Sequence, residues 1–302
     1  MENQTNKKKE VNRFAQIGHI ILTILIISMI IYKFFCVDPL AERHPEISPF
    51  VYCANNPIKF IDPDGRDWVE ASNGDITWRK DVTSKNHSKV LKDGEIYRGK
   101  SYERIKDWDG VTDSSGNTVN NLVLEEYGKN KKMTYSELES ANVSVEGSMR
   151  EGNSKLGDVE VKIYLTFANG KTRFMDEAYS AVAGGFGNGA PENGSYTVSN
   201  YQDRSPDGWY NKGMNNNGVG FSYNLNPSFS TGRTDLRIHP DGNNEGTLGC
   251  IGMSGSATQL NGFVRNLNSV LKYQTSVPAT LDITGNPNNN GRSGAKIPNV
   301  NE

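Results

Sequence analysis

The stretch VEVKIYLTFANGKTRFM, residues 159 to 175, sets the fold class. Val159, Val161, Ile163, Leu165 and Phe167 alternate with polar or partly polar residues. A period of two puts these side chains on one face, as in a half-buried β-strand. Asn169-Gly170 follows, the pair best suited to a tight hairpin turn. Arg173 to Met175 is therefore expected to begin the return strand.

Downstream, Ala183 to Gly189 is a glycine-rich loop. Its GGFGNG run lacks a following Gly-Lys-Ser/Thr and so is no phosphate loop. Pro191 to Gly194 reads as a turn and Ser195 to Val198 as a short strand. Ser256-Ala257-Thr258-Gln259 has the form of a capping box. After it, Leu260, Phe263, Val264, Leu267, Val270 and Leu271 fall on one helical face, which predicts a helix to about Lys272. Ala279 to Ile283 reads as a closing strand, and the Asn/Gly/Pro-rich tail beyond Gly285 is expected to fray. The expected class is mainly β with one or two helices.

The 302 residues suffice for one or two domains. Hydrophobic residues are 35% of the chain and glycines number 31, which favours loop-rich β structure over a helical bundle. The 33 basic and 35 acidic side chains nearly cancel, and no basic stripe carries interleaved aromatics. Nucleic acid is therefore not expected as a partner. Three cysteines, Cys36, Cys53 and Cys250, cannot form a dense disulfide framework.

Ile17 to Tyr32 carries no charge, and the apolar run continues past Lys33 to Phe35. About 20 such residues span a bilayer, so 17–35 is expected to be a membrane anchor. No small-x-small cleavage site follows it. Lys7, Lys8, Lys9 and Arg13 precede the run, and only Lys33 and Arg43 lie close behind. That bias predicts a cytoplasmic tail at 1–16 and an extracytoplasmic remainder.

Asp38-Pro39-Leu40-Ala41-Glu42, Ser48-Pro49-Phe50-Val51-Tyr52, Asn55-Asn56-Pro57 and Ile61-Asp62-Pro63-Asp64-Gly65 occur in that order. Together they resemble the closing segment of the core of Rhs/YD-repeat proteins, here about 37–68. The resemblance implies that a variable C-terminal effector, often a toxin, follows the segment. Such an effector brings with it an immunity protein as partner. Asp62, Asp64 and Asp67 do not have the spacing of an EF-hand and read as a solvated turn. Residues 69–150 are polar and uneven in pattern. They read as a linker or small accessory region, with a short element near Leu122, Leu124 and Tyr127, a helix start at Ser136 to Leu138, and a surface histidine at His87.

The chemistry concentrates in RTDLRIHPDGNNEGTLGCIG, residues 233 to 252. Leu236 and Ile238 alternate with Arg237 and His239 as at a strand end, and Pro240-Asp241-Gly242 breaks it. Glycines flank Cys250 in Gly249-Cys250-Ile251-Gly252. They allow close backbone approach and N–H groups that converge on an oxyanion. A free thiol titrates at about 8.5 and needs a base or a cation to attack at neutral pH. His239 is the only histidine in this third of the chain. Arg233 and Arg237 are placed to lower the thiol pKa or to hold a substrate carboxylate. One Cys and one His fall short of a zinc site, so neither metal nor cofactor is expected. The competing reading is a small buried cysteine beside an unrelated histidine.

Pro191-x-x-Gly194-x-Tyr196, Arg237-Ile238-His239 and Thr247-x-Gly249-Cys250-Ile251, with the helix and strand that follow, resemble the L,D-transpeptidase (YkuD-like) superfamily over about 159–284. The nearest likeness is to its type VI secretion effectors against peptidoglycan. The resemblance implies a β-sandwich catalytic domain at 151–285, and the Asn/Gly/Pro-rich composition after it a disordered tail at 286–302. It also implies a Cys250 acyl-enzyme formed on the stem tetrapeptides of peptidoglycan, with His239 as base, Gly249, Thr247 and Ile251 forming the oxyanion loop, and Arg233, Arg237 and Asp241 binding substrate. The family signature places a histidine two positions before the cysteine, where this chain has Leu248. Wall hydrolases of the NlpC/P60 type place their histidine after the cysteine, and none follows Cys250. A catalytically inactive, membrane-anchored Rhs-derived interaction module is the alternative function.

Overall fold

The computed structural model describes residues 67–205 and 209–289, with only the backbone described at 209 and 210. The expected anchor at 17–35 lies outside these residues, as does the Rhs-like segment up to residue 66. Among the described residues no helix is long and apolar enough to cross a membrane.

The chain divides into two compact units, one ending at Lys100 and one starting at Ser101. In the first, β1 (Asp67–Glu70) lies between β2 (Ile76–Arg79) and β3 (Ile96–Gly99), antiparallel to both. Trp68 meets Trp78 edge-on at 4.9 Å. A short helix, α1 (His87–Val90), brings His87 flat onto Tyr97 at 4.4 Å. The histidine is thus half-buried on a tyrosine at the surface of this unit.

The second unit is built on a closed barrel. Its strands are β4 (Tyr102–Thr112), β5 (Thr118–Tyr127), β6 (Met133–Met149), β7 (Leu156–Phe167), β8 (Thr172–Phe174), β9 (Tyr179–Gly184), β10 (Gly194–Asp203), β11 (Asn215–Asn216), β12 (Val219–Pro227), β13 (Arg237–Pro240), β14 (Ile251–Met253) and β15 (Val277–Thr284). Eight of them hydrogen-bond in a ring, in the order β6-β15-β10-β12-β13-β14-β9-β7 and back to β6. The β-sandwich expected from the family resemblance is therefore wrong. Because β6 pairs with both β15 and β7, the sheet closes on itself and leaves no open edge between two layers.

Strand alternation fills the interior. Val143, Val145, Val161, Ile163, Leu165, Val198, Phe221, Tyr223, Ile238, Ile251, Leu281 and Ile283 are all fully buried. The helix α3 (Ala257–Leu271) starts at the capping box: Ser256 Oγ accepts from Gln259 N at 3.3 Å, and Ser256 N donates to Gln259 Oε1 at 3.0 Å. Its apolar face then puts Phe263 against the rings of Tyr179, Phe221 and Tyr223, at 5.3, 5.8 and 6.0 Å. Burying a phenylalanine this completely contributes about 2–3 kcal/mol.

Three further expectations need correction. Residues 102–149 are not a linker. They form the long β4–β5 hairpin and then β6, whose second half is a barrel stave. No helix begins at Ser136, because Met133 to Tyr135 pair with Tyr127 to Glu125, and the strand runs on. The chain beyond Gly285 does not fray at once. Asn286 donates to Pro191 O at 2.6 Å, and Asn288 donates to the carbonyls of Asn188 and Ala190 at 2.8 Å each.

Candidate functional site

Barrel alternation sorts the reactive stretch into two faces. In the parallel pairing of β13 with β14, Ile238 lies opposite Ile251 and His239 opposite Gly252. Ile238 and Ile251 point into the core. Arg237 and His239 therefore share the outer face, and Cys250, one residue before Ile251, shares it on the neighbouring strand. The loop from Asp241 to Gly249 crosses that face. The result is a cleft of about 530 Å³ whose walls include Arg237, His239, Thr247, Leu248 and Cys250, with Phe186, Met214 and Asp235 around them. A short helix, α2 (Trp209–Lys212), precedes Met214.

His239 is buried, and its Nδ1 lies 2.7 Å from the carbonyl oxygen of Pro240. A carbonyl only accepts, so Nδ1 carries the proton and Nε2 is the basic nitrogen. Burial holds the imidazole down at about 4, and the charges of Arg237 and Arg204 act in the same direction. The ring is neutral at neutral pH.

The Cys250 thiol donates weakly to Asp235 O at 3.9 Å. Burial pushes its pKa up, while the Arg237 backbone and the charges of Arg237 and Arg233 pull the other way. A thiol raised in this way beside an imidazole lowered to about 4 does not rest as a thiolate–imidazolium pair.

Thr247 organises the loop. Its Oγ1 accepts from Cys250 N at 2.8 Å and Gly249 N at 3.3 Å, and donates to Cys250 O at 2.8 Å. This corrects the expected oxyanion hole, because the N–H groups of Gly249 and Cys250 are already directed at a hydroxyl. Ile251 is a core residue and faces away from the cleft.

Arg233 is a strut. Its guanidinium donates to Gly189 O at 2.9 Å and to Ala190 O, tying the glycine-rich loop to the cysteine loop. Gly249 packs directly on it, with φ at +125°, and a Cβ there would stand 2.2 Å from Arg233 Nη2. Both ends of the guanidinium are thus committed to carbonyls, so Arg233 supplies charge and support but no free fork for a carboxylate. Asp241 is also structural. Its buried carboxylate accepts Gly246 N at 3.1 and 3.0 Å, closing the loop, and it does not line the cleft. Arg237 does line it.

The sequence reading missed the residues that come from far upstream. Gln202 and Arg204 reach the site because β10 shifts register between Ser199 and Gln202, with Asn200 in the left-handed region at φ 54°. Arg204 bonds Ser222 Oγ at 3.0 Å and Gln202 Oε1, and Arg237 Nη1 reaches the same Gln202 oxygen at 3.4 Å. The rim residues Phe186 and Leu248 are 46% and 79% exposed. An asparagine ahead of a strand end was the only available signal for the bulge.

Among the described residues no three His, Cys, Asp or Glu side chains come together as a metal site. No family model, no curated protein and no solved structure matches this chain.

Proposed function

We propose that the unit from Ser101 onward is a cysteine acyl-transfer enzyme acting on the stem peptides of bacterial cell wall. The observation that carries the reading is one cleft lined by both Cys250 and a histidine whose Nδ1 proton is fixed on Pro240 O. Cys250 Sγ attacks an amide carbonyl while His239 Nε2 takes the thiol proton. The same nitrogen then returns the proton to the leaving amine, and a thioester remains on Cys250. Water or a second amine resolves it, giving carboxypeptidase or exchange chemistry. The likeness of the Thr247-x-Gly249-Cys250 and Arg237-Ile238-His239 segments to L,D-transpeptidases supplies the substrate class. The Rhs-like segment adds the reading that the enzyme is an antibacterial toxin.

The test is mass spectrometry of muropeptides incubated with the full chain and with Cys250→Ala. Loss of the terminal residue from tetrapeptides only with the intact thiol is the expected result. Identical profiles from the two proteins would refute it.

A second reading has its own support. With both loop N–H groups on Thr247 Oγ1 and the thiol pKa raised by burial, the site also suits an inactive interaction module. Retention of Rhs-segment or wall binding by Cys250→Ala, with no turnover by either protein, is the outcome that reading requires.

A further inference from the structure

The consecutive backbone carbonyls of residues 188 to 191, in the glycine-rich loop, are each held by a side chain. Asn288 Nδ2 donates to Asn188 O and Ala190 O at 2.8 Å each, which spends both of its N–H bonds on this loop. Arg233 donates to Gly189 O at 2.9 Å and to Ala190 O. Buried Asn286 donates to Pro191 O at 2.6 Å and to Asn193 Oδ1 at 3.1 Å. Ala190 O therefore accepts from two directions. Arg233 reaches it from beneath Gly249, and Asn288 from the segment that follows β15.

The loop held in this way is zipped to the cysteine loop by backbone. Thr247 N donates to Gly184 O at 2.7 Å, Phe186 N to Thr247 O at 2.9 Å, and Gly184 N to Cys250 O at 3.1 Å. Gly184, at φ +68°, packs on the Ala190 backbone so closely that a Cβ would stand 2.2 Å from Ala190 N. Motion of Ala190 is thus passed to Gly184, and from there to Thr247 and Cys250. With the loops zipped, Thr247 Oγ1 takes the N–H groups of both Gly249 and Cys250. Those are the donors that an oxyanion on Cys250 would need.

We infer that residues 286–288 form a clasp that holds the Cys250 loop in a resting arrangement, and that its release frees the thiol and the two N–H groups together. The inference rests on the acyl-transfer reading only in calling the arrangement a resting one, and adds to it a control element outside the cleft. Neither asparagine lines the cleft, so the clasp acts through the loops and not on a substrate. Amide–carbonyl bonds suit this use. Each is weak enough to open locally, and several together keep the loop closed.

The test reads Cys250 labelling by iodoacetamide at pH 7 in the full chain, with Asn288→Asp and Asn288→Ala. Aspartate keeps the size of the side chain, but its carboxylate has no proton to give a carbonyl. Two lost bonds shift a local opening equilibrium at least about tenfold, and both variants should label faster than wild type by that factor. The faster rate should depend little on urea below the unfolding midpoint, because a local opening exposes little surface. Wild-type rates in both variants would overturn the inference. So would a steep urea dependence, which marks global unfolding. Hydrogen exchange gives a second measurement on Asn288→Asp. Peptides covering 184–190 and 247–250 should exchange faster while those of β7 stay unchanged. Faster exchange confined to 286–289 would overturn the clasp as well. Neither measurement requires turnover. Unchanged muropeptides would therefore sink the enzyme reading while these rates still decide the clasp.

Discussion

His239 stands directly opposite Gly252 in the parallel pairing of β13 and β14, and the missing side chain at 252 is what lets the loop from Asp241 to Gly249 close. A Cβ on Gly252 would come within 2.9 Å of Thr247 Cγ2 and 3.1 Å of Asp241 Cβ. The loop that holds Cys250 thus lies on bare backbone beside His239. Thr247 and Asp241 occupy the space that any other residue at 252 would claim.

Gly252→Ala follows from this contact. The methyl group forces the loop outward, an overpacking cost of about 1–3 kcal/mol. The urea midpoint should fall with an unchanged slope, and Cys250 alkylation should quicken as the loop loosens. Wild-type stability in Gly252→Ala would show that the loop gives way freely and that this packing does not hold the site.

Thr247→Val keeps the shape of the side chain and removes one oxygen. That oxygen serves Cys250 N, Gly249 N and Cys250 O at once. Leaving buried backbone groups unpaired costs about 1–3 kcal/mol. Thr247→Ser, which keeps the hydroxyl, should recover most of the loss in a denaturant titration. If valine and serine behave alike, the hydroxyl is not what organises the loop.

The legible parts of this fold were those with local periodicity. Val159 to Phe167 alternates because one side faces the barrel core, and the stave formed as read. The Ser256–Gln259 box capped the helix as read. Closure into a barrel was not legible, because it depends on β6 bonding two strands far apart in sequence, β7 and β15. Residues 102–149 misled for a related reason. Their charges pair across strands, as Arg104 does with buried Glu125 at 2.6 Å, so a polar segment still builds a sheet. At the site, Cys250 and His239 stood out by residue type. The roles of Arg233 and Asp241 did not, because a strut and a substrate ligand have the same sequence signature.

The lowered His239 pKa has a consequence for stability. In the unfolded chain the imidazole titrates near 6.5, and in the folded chain at about 4. Between those values the unfolded state holds more protons, so stability rises with pH there. The contribution is fully present above about pH 6.5 and is lost as pH falls through 4, the loss relative to neutral pH reaching about 3 kcal/mol near pH 4. Urea titrations of wild type and His239→Gln across pH 4 to 7 should differ in slope over that window. Parallel curves would mean that the histidine is hydrated and titrates normally. On the proposed acyl-transfer reading, the same value keeps His239 unprotonated down to about pH 4. The acid limb of kcat/KM should therefore lie well below 6.

Leu248 tests which position supplies the base. The L,D-transpeptidase signature that this stretch resembles has a histidine there, and in this chain the position is a leucine 79% exposed at the cleft rim. An exposed leucine makes few contacts to lose, so Leu248→Ala should change stability by less than about 0.5 kcal/mol. A histidine at the rim would be hydrated and would titrate near its usual value of about 6.5. It would therefore be partly protonated at neutral pH, unlike His239. Leu248→His should accordingly leave the rate of Cys250 alkylation by iodoacetamide at pH 7 within about threefold of wild type. His239→Gln should lower that rate at least about tenfold by removing the base. The reverse pattern, with Leu248→His accelerating the reaction and His239→Gln leaving it unchanged, would move the base to the rim and strip His239 of its role.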